Sequence, residues 1–185
     1  MTNIDAKEAA SALSDIEQIV HRVRQSTIYN LASLMLIWWG ALILVGNLAT
    51  YLWPRNGGYI WIAVNVVGLA GTFAIGAYNS RRINARGFDF RMVAAIVLFF
   101  AFGILWSIML GHFTPRQLGV FWPTYFMMVY TIVGLWVGAA FAAIGLGITA
   151  LTLIGYFFVG AWFDLWMAVV NGGGLMLGGL WMRRS

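Results

Sequence analysis

Apolar residues in this chain run in long blocks broken by short polar or turn-forming stretches, a pattern of membrane crossings rather than of half-buried soluble helices. The clearest block is Leu118 to Met182, 65 residues with one formally charged side chain, Asp164. Roughly 20 apolar residues cross a hydrocarbon core about 30 Å thick, so this block has the length of three crossings joined by tight turns. Parsed at its breaks, the chain predicts six spans, at about 29–53, 59–79, 92–110, 118–138, 140–159 and 163–182. Pro54, Arg55, Asn56, Gly57 and Gly58 make a strong turn, and Gly111 to Gln117 contains His112, Pro115 and Arg116. Ser80 to Arg91 holds four arginines and cannot lie in hydrocarbon. The turns near Gly138 and Gly160 rest on length and glycine alone.

The predicted fold class is therefore all-α: a polytopic membrane protein with six transmembrane helices in one bundle, residues 29–185, preceded by a cytoplasmic amphipathic segment, residues 1–28. Composition agrees, since only 9% of residues are charged, against about a quarter in a soluble domain. The net charge of +5 does not point to nucleic acid, because the basic residues sit just beyond the ends of apolar runs. With the N-terminus in the cytoplasm, Lys7, Arg22, Arg24, Arg81, Arg82, Arg86, Arg91, Arg183 and Arg184 fall inside, and only Arg55 and Arg116 outside. That bias predicts an N-in, C-in topology and a plasma membrane, with a bacterial inner membrane the expected host. Trp53, Trp61, Trp106, Trp122, Trp162 and Trp166 fall near predicted outer ends, where indoles prefer the headgroup region, whereas Trp38 and Trp39 lie deeper. The first span is too long, and begins too far into the chain, to read as a removable signal peptide.

In the N-terminal segment Leu13, Ile16, Val20 and Val23 share one helical face, and Ser14 with Glu17 has the spacing of a capping box. Such a helix either lies on the inner leaflet or docks a protein partner or a second copy. Arg81, Arg82, Arg86 and Arg91 are the expected contacts for anionic headgroups at the cytoplasmic face. Small residues recur where helices could meet: Gly134 with Gly138, Gly174 with Gly178, and Gly68 with Thr72 and Gly76. Rows of this kind let backbones approach closely, for internal packing or homo-oligomerisation. The run Asn171, Gly172, Gly173, Gly174 marks a weak point in the sixth span, expected as a packed kink rather than a broken helix.

Polar side chains inside the spans collect in the predicted outer half. Asn47, Asn65 and Asp164, with Arg116 or Arg55 as counter-ion, are the candidate ligand site. The plainer reading makes Asp164 a helix N-terminal carboxylate, and Asn47, Asn65 and Asn171 interhelical hydrogen-bonding groups. No catalytic, cofactor or metal residues are assigned. His21 and His112 fall on opposite sides of the membrane, there is no cysteine, and no H-E-x-x-H, G-x-S-x-G, Walker A or dinucleotide fingerprint occurs. In span number, length and placement of its ends the chain is similar to the substrate-binding components of energy-coupling-factor vitamin transporters, a likeness of layout without a shared motif. The expected function is non-enzymatic: an accessory, regulatory or complex-forming membrane subunit or, alternatively, a small-solute binding or transport component.

Overall fold

A computed structural model describes the backbone of residues 6–83 and 90–184, and the side chains of 14, 15, 29–78 and 93–184. Every element among them is helical. The first helix, α1, runs unbroken over Ala6–Leu52. No proline or glycine interrupts it between Ala6 and Trp39, so the expected boundary at residue 28 is not a break. Ser14 therefore lies inside this helix and does not start one. The chain then turns through a 3-10 segment, Pro54–Asn56, where proline supplies a fixed φ at the first position. Helix α2 is Gly57–Ile83, so the two glycines expected in the turn begin the helix, and Arg81 and Arg82 extend its far end.

Helix α3 is Phe90–Ile104, continued by a π-helical turn over Leu105–Leu110. Helix α4, Pro115–Val137, has a full capping box: the Thr114 hydroxyl accepts from the Gln117 backbone N–H and the Gln117 side chain accepts from Thr114 N–H. One residue, Gly138, separates it from α5, Ala139–Phe158. Its φ of 154° is a backbone setting that a side chain would strain, which is why glycine reverses the chain there. Helix α6 comprises Phe163–Met167, a π-helical turn over Ala168–Gly173, and Gly174–Arg184. The Asn171–Gly174 weak point is thus a π turn that stays helical, its freed carbonyls shared by the Gly174 N–H. All six helices contain a segment long and apolar enough to cross a membrane.

Four helices share a core. Leu36 of α1, Met127 of α4, Ala140, Phe141, Ile144 and Ile148 of α5, and Leu175 and Met182 of α6 bury one another. Phe141 is edge-on to Tyr29 at 5.7 Å and tilted against Tyr130 at 5.8 Å, joining α1, α5 and α4 at one end. Backbones come very close along two seams. On the α1–α6 seam a Cβ at Gly40 would lie 2.8 Å from the Gly172 carbonyl oxygen, and one at Gly172 would lie 2.6 Å from Leu44 Cα. On the α4–α5 seam Gly134 receives the Ala142 backbone, and Gly145 faces Met127 O at 2.8 Å. Lipid tails supply no hydrophobic force between helices, so this close contact is a principal source of adhesion.

The other two helices flank this core. Helix α2 packs on α1 through Trp39, whose ring covers Gly68, and Trp38, whose ring covers Gly71. Trp38 Nε1 donates to Gly68 O at 3.2 Å and Trp39 Nε1 to Thr72 Oγ1 at 3.0 Å. The deep tryptophans of the first span are thus the fastening of the second. Helix α3 meets α4 through rings: Phe99 stacks on Tyr125 at 4.3 Å, and Phe100 lies 5.9 Å from Trp122 and 5.8 Å from Phe126.

Candidate functional site

Depth along a span places polar residues in a common layer, but convergence requires that the helices also turn them toward each other. The four expected site residues are not joined by any hydrogen bond among the described residues. Arg116, in the first turn of α4, reaches across to the end of α5, donating to Tyr156 O at 2.9 Å, Val159 O at 2.5 Å and Gly160 O at 3.3 Å. Its guanidinium also lies 4.9 Å from the Phe163 ring centroid and 5.6 Å from that of Tyr156. Those carbonyls lie at and just beyond the C-terminal end of α5, so the arginine caps the negative end of that helix, while its charge also acts on the Asp164 carboxylate without a hydrogen bond between the two. Asp164 is half-buried in the first turn of α6, well placed for the helix dipole, and the N-cap residue there, Trp162, makes no side-chain capping hydrogen bond.

The two asparagines turn back on their own helices. Asn47 is buried and donates to Ile43 O at 2.9 Å, and Asn65 is exposed and donates to Trp61 O at 2.7 Å, each one turn earlier. An amide that takes the i−4 carbonyl satisfies a donor locally without drawing another helix to it. Neither residue therefore forms the interhelical bond expected of it.

The polar contacts that do cross between helices lie elsewhere. Asn171 Nδ2, in the π turn of α6, donates to Thr152 Oγ1 of α5 at 3.1 Å and approaches Met167 Sδ at 3.4 Å. Ser33 Oγ of α1 donates to Gly179 O of α6 at 2.7 Å. Ser33, Thr152 and Asn171 are all buried. Ser33 and Thr152 escaped the sequence reading, although Ser33 stands one heptad before Gly40 on the glycine seam, a spacing that marks the same face.

The glycines divide in the same way. Gly68 lies under Trp39, Gly134 against Ala142, and Gly178 at 2.9 Å from Ile144, while Gly174 makes an ordinary contact with Ile148 at 3.4 Å. Gly138 serves the turn, and a Cβ at Gly76 would meet nothing within 4 Å. Arg86 lies outside the described residues, as do the side chains of Arg81, Arg82 and Arg91, and with them the headgroup contacts. The side chains of Leu13, Ile16, Val20 and Val23 lie outside them too.

A groove of about 390 Å³ opens between α5 and α6, lined by Gly147, Leu151, Gly174, Leu177, Gly178 and Trp181 among others. None of the four candidate polar residues lines it. Its walls carry no convergent polar groups of the kind that orient a small-molecule ligand.

Six helices fit to cross a bilayer, polar groups engaged mostly by the protein itself, and apolar outer faces define the class: a multi-pass membrane protein in contact with lipid. Compared with known protein families, characterised proteins and solved structures, the chain matches none.

Proposed function

We propose that this chain is a non-enzymatic accessory or regulatory subunit of a membrane complex, with both ends in the cytoplasm and its N-terminal helix as the docking element. The observation that carries this reading is the continuity of α1. Its apolar span is Tyr29–Leu52, yet the helix begins at Ala6, 23 residues earlier. At about 1.5 Å per residue the extension is on the order of 35 Å long. A helix lying flat on the leaflet needs a sharp bend where it leaves the span, and α1 stays helical through that point with no proline or glycine to supply one. The unbroken course, with Leu13, Ile16, Val20 and Val23 on one face, supports a projecting rod that meets a partner over the bias to the inner surface given by the arginines. The engagement of Asn47 and Asn65 by their own helix turns, and of Arg116 by the end of α5, weighs against a solute site built from them.

Deletion of residues 2–25 tests the proposal. Partners that co-purify with the full chain from native membranes are expected to be lost, while the truncated chain still inserts as six spans. An unchanged set of partners with an unchanged phenotype overturns it.

A further inference from the structure

Helix α2 uses one side to meet α1, where Val64 and Gly68 are buried. An adjoining side is open and carries a heptad. Gly58, Ile62, Asn65, Leu69, Thr72 and Gly76 follow one another at steps of four, three, four, three and four, the a and d spacing of a helix–helix seam. Ile62 is 63% exposed and Leu69 40%, and nothing lies within 4 Å of a Cβ at Gly58 or Gly76. Small residues at both ends of such a row allow two backbones to approach.

At its centre is Asn65. The apolar span of this helix is Pro54–Tyr78, and Asn65 lies inside it, about three turns from its first residue. A primary amide has two N–H donors and a carbonyl acceptor. One N–H goes to Trp61 O, leaving one N–H and the Oδ1 for a partner that hydrocarbon cannot supply. Thr72, next on the row, is already engaged: it donates to Gly68 O at 2.9 Å and accepts from Trp39. One remaining donor beside one remaining acceptor is self-complementary under a two-fold axis, since each copy gives the N–H that the other's oxygen needs. Copies inserted in the same membrane with the same topology are related by an axis along the membrane normal, which places their α2 helices parallel and at equal depth.

We propose that the chain self-associates as a two-fold dimer through this face of α2, with the Asn65 amides paired reciprocally. The dimer shares with the docking role of α1 only insertion in the membrane, and stands or falls separately.

The full chain, which has no native cysteine, is reconstituted in phosphatidylcholine–phosphatidylglycerol vesicles with single cysteines on α2. On oxidation, Ile62→Cys and Leu69→Cys are expected to give disulfide-linked dimers at least about fivefold more efficiently than Ala70→Cys and Ala74→Cys, which are exposed on another side. In energy transfer between differently labelled copies, Asn65→Leu is expected to raise the dissociation constant roughly three- to twenty-fold, and Asn65→Gln to restore most of the loss. Equal cross-linking at all four positions, a monomer at every protein-to-lipid ratio, or energy transfer unmoved by Asn65→Leu overturns the proposal. So does capture of a different protein by Ile62→Cys in native membranes with no self-dimer. The cysteine pattern is read on chains that retain Asn65, so it decides the matter even where Asn65→Leu disturbs folding.

Discussion

The seams among α1, α4, α5 and α6 and the attachments of α2 and α3 solve the same problem with different materials. In the first, glycines let backbone lie on backbone, as at Gly40, Gly172 and Leu44 or at Gly134 and Ala142. In the second, large rings bridge a wider gap: Trp38 and Trp39 for α2, and Phe99, Phe100, Trp122, Tyr125 and Phe126 for α3. Dispersion falls steeply with distance, so a backbone seam has many short contacts and no alternative packing, whereas a ring can rotate and re-seat. The contrast leads us to expect that the core is the rigid part of the molecule and that α2 and α3 are the parts whose positions are adjustable.

The sharpest way to break this contrast is Gly172→Ala. The added methyl meets Leu44 Cα at 2.6 Å, and because the obstacle is backbone, one helix must move. A loss of about 2–3 kcal/mol is expected in reversible unfolding in bicelles, and a wild-type value would show that the seam is not tight. Trp39→Ala should cost less globally, about 1–2 kcal/mol, because it removes a ring and the hydrogen bond to Thr72 from a flank. Its signature is local: hydrogen exchange should accelerate in α2 and stay unchanged in α5 and α6. Acceleration throughout would place α2 in the core. The smallest effect belongs to Gly147→Ala in α5, where a Cβ meets nothing within 4 Å. Helix propensity alone then gives a gain of about 0.5–1 kcal/mol, and a loss would mean that the groove beside it is filled by something that needs the space.

Segment boundaries were legible to within a few residues because hydropathy and turn chemistry are one-dimensional. The single-glycine reversal at Gly138 and the stop at Pro54 are of that kind. What stayed hidden is rotation. Asn47, Asn65, Arg116 and Asp164 could be assigned to a layer, but the direction each faces depends on its helix's neighbours: the two asparagines donate to carbonyls one turn back, and Arg116 donates to the end of α5. The same blindness separates Gly76, which faces open space, from Gly68 two turns away, which lies under Trp39. Both belong to one small-residue row, and only the partner helix tells them apart. Asn171 was the exception, since the interhelical hydrogen bond expected of it is made, to Thr152.

Arg116 has a mechanical meaning beyond its hydrogen bonds. Helices α4 and α5 are joined at one end by Gly138 alone and at the other by the guanidinium on the Tyr156, Val159 and Gly160 carbonyls. The pair is thus a closed ring, covalent at one pole and electrostatic at the other. A ring tied at both poles cannot splay like an open hairpin, and sliding by one helical turn, about 5.4 Å, would tear all three carbonyl contacts at once. In any motion of this protein, α4 and α5 are therefore expected to move together.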